Sequence, residues 1–424
     1  MRTIYTIILW LLLPLIFLRL GLRSRRQPEY LQHIGERFGF YAIKCEKPVI
    51  WLHTVSVGET RAAASLVARL KESYPDHQIL LTHTTPTGRA AGEQLYGGSV
   101  LRAYLPYDYP FAVRRFLRHF KPVLGMLMET EIWFNLIHAG KEAEVPMLLL
   151  NARMSEKSAK GYERISALTG NALHELSAVA AQGNDDADRL MRLGAKKVSV
   201  MGNLKFDISP PEKMLELGAK LREQFGARPI LLLASTREGE EKLLLDAWLA
   251  EDFQADALLL IVPRHPQRFD EVAEMLKKRG LGFQRRSENR PVADEVRVVL
   301  GDSMGEMFAY YAACDIAFIG GILLPFGGQN LIEACSVGKP VLIGPHTFNF
   351  ADATRLAIEA GAAIRVSDAD ELMQEAARIL QDAGRMALME RQGKRFVASH
   401  QGATGKAMDI IRHVKIATAE PQST

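Results

Sequence analysis

Residues 319–333 read Ile319-Gly320-Gly321-Ile322-Leu323-Leu324-Pro325-Phe326-Gly327-Gly328-Gln329-Asn330-Leu331-Ile332-Glu333. An apolar run ends in a glycine pair, a loop follows, and a second glycine pair, Gly327 and Gly328, leads into the start of a helix. That order is a plan for bringing backbone N–H groups and a helix start against a phosphate. Glu333, about one turn into the helix, is placed to accept hydrogen bonds from ribose hydroxyls, as acids do in other nucleotide-binding α/β domains. The alternative is that tight turns alone require the glycines.

Outward from this stretch, short apolar runs alternate with longer amphipathic ones from about residue 45 onward, the pattern of strands alternating with helices. The first series of expected strands is 49–54, 78–83, 123–128, 146–151, 178–182 and 198–201; the second is 230–235, 257–262, 297–300, 315–319 and 340–344. Few alternate strictly with polar residues, so each sheet is expected to be parallel and buried on both faces. Between the series, Gly202-Asn203-Leu204-Lys205-Phe206-Asp207-Ile208-Ser209-Pro210-Pro211 ends in a double proline that continues neither helix nor central strand. The expected fold class is α/β, with two doubly wound domains facing a cleft and chemistry at the carboxyl ends of the strands. Residues 370–397 have a helical pattern, and the last ten are polar and frayed.

Composition narrows the class. With 48% apolar and 24% charged residues, the chain fits neither a disordered nor a polytopic membrane protein. A net charge of +4 is too small to argue for nucleic acid. Three cysteines, Cys45, Cys314 and Cys335, make no disulfide framework and lack zinc spacing, so a reducing compartment is expected. The uncharged run Ile4–Leu18, followed by Arg19, Arg23, Arg25 and Arg26, is a membrane element, and the positive-inside rule places the rest of the chain in the cytoplasm. At fifteen residues it is short of a full span, so crossing the bilayer and lying in its interface both stay open. A second basic stretch, Phe111–Lys121, is either a lipid-facing helix or a solvated face over a core stripe.

Several chemistries lose support because their motifs are missing: there is no GxxxxGK[ST], no GxGxxG after the first strand, no HExxH and no GxSxG. His346 has no partner at metal-ligand spacing. What remains is a set of residues just after strands. Glu59, in Ser56-Val57-Gly58-Glu59, is either a helix-capping acid or a general base for an acceptor hydroxyl. Glu129 and Glu131 follow the expected strand 123–128 and are either helix-start acids or cleft acids, of which only one is expected to enter the cleft. Asn151, Arg153 and Lys205 offer amide and basic groups to an anion across the cleft, Lys205 being equally readable as a solvated linker charge. In the second half, Arg237 follows one strand, Pro263 and Arg264 another, and Met304-Gly305-Glu306 opens a helix.

Taken together, these residues resemble the bacterial 3-deoxy-D-manno-octulosonic acid (Kdo) transferases of lipopolysaccharide synthesis. The likeness runs nearly end to end: the anchor, SVGE at 56–59, YLPYD at 104–108, METEIW at 128–133, NARMS at 151–155, GNLKFD at 202–207, PRHPQRF at 263–269, GDSMGE at 301–306, then GGQN and GPHTFNF. The resemblance implies a GT-B fold of two Rossmann-like domains, with anchor and basic flank at 1–26, an acceptor domain at 27–201, a linker at 202–211, a CMP-Kdo domain at 212–395, and at 396–424 a helix returning to the first domain before the tail. It implies CMP-Kdo as donor, a lipid A precursor as acceptor, work at the cytoplasmic face of the inner membrane, and neither metal nor other cofactor. Glu59 then matches the catalytic base, and Glu129 and Lys205 match transition-state stabilisers. Pro263, Arg264, Met304, Gly305, Glu306, Gly327, Gly328, Asn330, Leu331, Ile332 and Glu333 match the CMP-Kdo segments. The pattern departs at Ile322, where serine is common, at Phe326, where a basic residue or histidine is expected, and at Arg237, which replaces a frequent histidine. Two further readings are another GT-B transferase with a UDP-sugar donor and a lipid-linked acceptor, and a non-catalytic nucleotide-sugar-binding membrane protein.

Overall fold

The computed structural model describes residues 1–25, 27–250 and 257–414. Arg26 of the basic flank and the last ten residues lie outside the described residues. The chain divides into two compact units: unit 1 comprises Met1–Asp207 together with the chain from Gln401, and unit 2 comprises Ile208–His400.

Unit 1 is built on β1 (Val49–His53), β2 (Gln78–His83), β3 (Leu101–Tyr104), β4 (Pro122–Met128), β5 (Met147–Ala152), β6 (Ala178–Ala181) and β7 (Val198–Val200). They form one sheet in the order β3-β2-β1-β4-β5-β6-β7, and every pairing is parallel. Successive side chains of β1 serve opposite faces: Val49 and Trp51 join one core, Ile50 and Leu52 the other. β4 and β5 are buried along their whole length, which explains their unbroken apolar text. Gly125 is required where these strands crowd, because a Cβ there would stand 2.5 Å from Met147 Sδ and 2.8 Å from the Trp51 ring.

Unit 2 repeats the plan with β8 (Ile230–Thr236), β9 (Leu258–Pro263), β10 (Phe283–Arg285), β11 (Val298–Leu300), β12 (Ile316–Ile319), β13 (Val341–Ile343) and β14 (Ala363–Arg365). Their order is β10-β11-β9-β8-β12-β13-β14, again parallel throughout. Three of these fourteen strands, β3, β10 and β14, were not expected from the sequence. Each lies at the edge of its sheet and has three or four residues with partly exposed positions, so its apolar signal is weak. The helical stretch expected over 370–397 is two helices, Ala369–Gln381 and Ala383–His400.

Pro211 caps the helix Glu212–Phe225 that opens unit 2. The chain returns to unit 1 through the helix Ala403–His413, whose Ala403, Ala407, Met408 and Ile411 complete the second core of that unit. Its start is held by Asp207: Oδ1 accepts the Gly402 N–H at 2.7 Å, and Oδ2 accepts that of Thr404.

Candidate active site

In both sheets the strand order reverses between two neighbours, β1 and β4 in unit 1 and β8 and β12 in unit 2. Open parallel sheets hold ligands at the carboxyl end of such a switch. Most of the residues singled out from the sequence sit at or beside these two places.

In unit 1, β1 runs into the helix Val57–Ala62, with Ser56 as its cap. Glu59 is its third residue, which allows reciprocal bonding: the Glu59 N–H reaches Ser56 Oγ at 3.4 Å, and Ser56 Oγ donates to Glu59 Oε1 at 2.9 Å. Glu59 Oε2 accepts the Val55 N–H at 2.8 Å. The capping arrangement is therefore present, yet the side chain is buried, and burial together with the neighbouring Glu129 charge pushes its carboxyl up to about 7. A surface capping acid would sit at or below its ordinary value; this one is poised to exchange a proton near neutrality.

Glu129 follows β4 with φ +59°, a left-handed conformation that a non-glycine residue adopts at a cost of about 1–3 kcal/mol. Its Oε1 lies 3.4 Å from Lys205 Nζ and, among the described residues, accepts no hydrogen bond. Lys205 is positioned by a relay. Its N–H donates to Asn203 Oδ1 at 3.0 Å, Asn203 Nδ2 to Gln182 Oε1 at 3.1 Å, and Gln182 Nε2 to the Asn151 carbonyl at 3.0 Å. Asn203 and Gln182 have this positioning part without having been singled out, and only their polar character beside strand ends signals it in the sequence.

Asn151 is fully buried and left-handed at φ +51°; its Oδ1 accepts the Leu204 N–H at 3.0 Å, while its Nδ2 has no hydrogen-bond partner among the described residues. Glu131 takes a different path from Glu129, accepting the Trp133 indole N–H at 2.6 Å beside His53. Burial holds His53 neutral by pushing it down to about 3, so the 3.9 Å approach of the two is no ion pair.

In unit 2 the glycine loop is organised by a residue the sequence did not single out. The fully buried Glu240 accepts N–H bonds from Gly321 (2.6 Å), Ile322 (2.9 Å), Leu323 (3.0 Å) and Arg237 (3.0 Å). The Gly328 N–H donates to the Gly321 carbonyl at 2.8 Å, and that of Ile332 to Asn330 Oδ1 at 3.1 Å. Of the N–H groups read as a phosphate cradle, those of Gly321, Ile322, Leu323, Gly328 and Ile332 are thus engaged within the protein. The glycines also serve geometry. Gly327 and Gly328 have φ of +91° and +86°, and a Cβ on Gly327 would strike the Phe348 ring at 2.4 Å. The helix they lead to, Ile332–Val337, has only six residues.

Side-chain charge also lies beside this loop. Arg264 follows Pro263 at the end of β9 and donates to Gln329 Oε1 at 3.2 Å, beside the loop. Arg237 lies over the Phe326 ring with its guanidinium carbon 4.5 Å from the ring centre, so two departures from the family pattern form one cation–π pair. The third, Ile322, is buried in the loop. Glu333 accepts from Asn330 Nδ2 at 3.1 Å, and Leu331 and Ile332 beside it are buried. Glu306 caps its helix, held by Ser303 Oγ at 2.6 Å and by Arg286 at 3.4 Å; Met304 before it is exposed and Gly305 has φ +82°. Among the described residues no three His, Cys, Asp or Glu side chains converge to hold a metal ion.

Known proteins share both the sequence and this architecture. Residues 32–208 match the family described as 3-deoxy-D-manno-octulosonic-acid transferase (kdotransferase), and residues 277–396 match glycosyl transferases group 1. The chain is 43% identical to the 3-deoxy-D-manno-octulosonic acid transferase of Bordetella pertussis over 97% of its own length and 98% of that protein's, and 38% identical to that of Haemophilus influenzae over the same shares. Among solved structures, a glycosyltransferase from Rickettsia africae is similar at a TM-score of 0.56, covering 87% of this chain and all of that one, at 16% identity, a likeness of fold alone. The chain belongs to the 3-deoxy-D-manno-octulosonic acid transferases and is a glycosyltransferase of GT-B type, built from two Rossmann-like units.

Proposed function

We propose that the chain moves Kdo from CMP-Kdo to the 6′-hydroxyl of the lipid A disaccharide precursor, with inversion at the anomeric carbon, at the cytoplasmic face of the inner membrane. The observation that carries this reading beyond the family is the buried Glu59 carboxyl, pushed up to about 7 at the switch point of unit 1. In the proposed reaction the acceptor oxygen attacks the anomeric carbon and its proton passes to Glu59. The bond from that carbon to the CMP phosphate oxygen breaks, and CMP leaves with the electron pair. Lys205, held against Glu129, offsets negative charge developing in the transition state, and Arg264 supports the departing phosphate. Pro263, Met304–Glu306, Gly327, Gly328 and Asn330–Glu333 shape the nucleotide site. The reaction needs no metal under this reading.

Detergent-solubilised full-length protein with CMP-Kdo and tetraacylated acceptor is expected to release CMP only when acceptor is present, with the product heavier by whole Kdo units. A folded protein that binds CMP but gives no transfer sinks the proposal. Because Glu59 must be ionised to accept a proton, kcat is expected to rise with pH through about 7, and a rate independent of pH between 5.5 and 8.5 argues against Glu59 as the base. Lys205→Met is expected to lower kcat by about 10²-fold. It should leave CMP affinity within about threefold, since the ion pair it removes belongs to unit 1 and Arg264 of unit 2 is untouched. Asn203→Ala, which loosens only the support of Lys205, is expected to cost about tenfold or less. A larger loss in Asn203→Ala than in Lys205→Met contradicts the relay.

A further inference from the structure

The helix Arg2–Ser24 has the length and hydropathy to cross a membrane. Its contacts give it another role. Tyr5, Thr6, Leu9, Leu13, Ile16 and Leu20 recur at helical spacing along one face, and each is at least half-buried. That face lies on the rest of unit 1 through about four turns. Tyr5 donates from its hydroxyl to Asp108 Oδ2 at 3.0 Å, and Thr6 Oγ1 bonds Asn135 Oδ1 at 3.2 Å. The Tyr109 hydroxyl donates to the Leu9 carbonyl at 2.6 Å. Further along, Phe17 stacks on Phe38 with ring centres 5.4 Å apart. Asp108 and Asn135 are themselves buried, and Asp108 also accepts the N–H groups of Asn135 and Leu136, so the docking surface is part of the body of the unit. A helix held in this way cannot pass through hydrocarbon without carrying a carboxyl, an amide and their loops with it.

The opposite face is apolar and uncovered. Ile4, Ile8, Leu11, Leu15, Leu18 and Leu22 are exposed, Leu11 by 74%. The surface continues onto unit 1 through Trp10 beside Phe111 and the exposed Phe40, with the Arg115 guanidinium over both phenyl rings at 4.3 and 5.3 Å. Exposed arginines accompany it: Arg19, Arg23 and Arg25 at the end of the helix, and Arg118 on the helix Pro110–Phe120, where Arg114 is paired with Glu142 at 3.3 Å. A wide apolar face accompanied by arginines fits an anionic lipid leaflet.

We infer that Arg2–Ser24 is an in-plane anchor: it stays docked on unit 1, sinks its isoleucine and leucine face into one leaflet of an anionic bilayer, and keeps both of its ends on the side that holds unit 1. The inference rests on the helix contacts, so it stands or falls separately from the donor and acceptor assigned above.

The test uses full-length protein in bacterial inner membrane, with Cys45→Ser to remove the partly exposed native thiol and Thr3→Cys as the reporter. A membrane-impermeant maleimide added outside intact spheroplasts is expected to label position 3 at no more than a tenth of the level reached after permeabilisation, with detergent-solubilised protein setting the full signal. Labelling from outside at the full level overturns the proposal. In isolated membranes, Thr6→Cys with Asn135→Cys is expected to form a disulfide under a mild oxidant in most chains, and absence of the crosslink overturns the docked arrangement. Purified protein is expected to float with phosphatidylglycerol vesicles at least tenfold more than with phosphatidylcholine vesicles; Arg19→Gln with Arg23→Gln and Arg25→Gln is expected to abolish the difference, and Leu11→Asp with Leu15→Asp to abolish flotation on both. Equal flotation on both lipids refutes the anionic-leaflet assignment.

Discussion

Glu59→Gln is expected to lower kcat by about 10²–10⁴-fold while leaving the protein folded and, at pH 8, more stable than the parent. The two effects share one cause. In the unfolded chain the carboxyl ionises at its ordinary value; in the folded unit, burial and the Glu129 charge raise it to about 7. A raised acid binds its proton more tightly in the folded state, so ionising it erodes stability as pH climbs from the ordinary value to about 7, and the loss is complete above that. An amide removes this penalty, which amounts to up to about 3 kcal/mol at pH 8. It also keeps an oxygen to accept the Val55 N–H. Were Glu59 only a helix cap, the same change would leave kcat nearly untouched. Parallel measurement of turnover and thermal unfolding at pH 5.5 and 8 separates the readings: the stability gain is expected at pH 8 and should shrink at pH 5.5. A variant that retains kcat within threefold defeats the catalytic assignment.

Glu240→Ala is expected to be the most damaging single change in unit 2, costing about 3–5 kcal/mol. The substitution leaves the Gly321, Ile322, Leu323 and Arg237 N–H groups without their common acceptor in a fully buried position. Its neighbour Glu241 is directed elsewhere, its Oε1 accepting from Arg268 at 2.6 Å and from the Thr236 hydroxyl at 2.7 Å. Glu240→Gln preserves the volume but turns an NH2 toward donors, and is expected to weaken CMP binding at least tenfold with a smaller loss of stability. Thermal unfolding with and without CMP reads both effects. A Glu240→Ala protein within 0.5 kcal/mol of the parent shows that the loop does not depend on this carboxylate.

The legible part of the fold was its interior. Strands such as β4 and β9, buried from end to end, declare themselves as apolar runs, and the double proline at 210–211 marks where a helix opens unit 2. Three of the four edge strands were not legible, because β3, β10 and β14 are short and answer to only one neighbour; the edge strand β7 was expected. At the candidate site, residue types were visible but their conformations were not. Glu129, Asn151 and Ser235 all turn left-handed at or just past the ends of central strands, and nothing in a glutamate, asparagine or serine announces a φ near +55°. Glu240 was hidden for a related reason: in the run Glu238-Gly239-Glu240-Glu241 it reads as an ordinary acidic helix start. Only the fold reveals that its carboxylate faces inward and accepts the Gly321, Ile322 and Leu323 N–H groups of the glycine loop.

The bond between Asp207 and the start of the Ala403–His413 helix has a consequence for biosynthesis. Because unit 1 is closed by residues from the far end of the chain, a ribosome must finish nearly the whole polypeptide before the first unit can bury its second core. Until then the surface of the helix Ala64–Ser73 and of β6 that packs against Ala403–His413 lacks its cover, and unit 2, whose residues are contiguous, is free to fold ahead of the unit that precedes it. A nascent chain stalled before Gln401 is thus the form of this protein most in need of a chaperone.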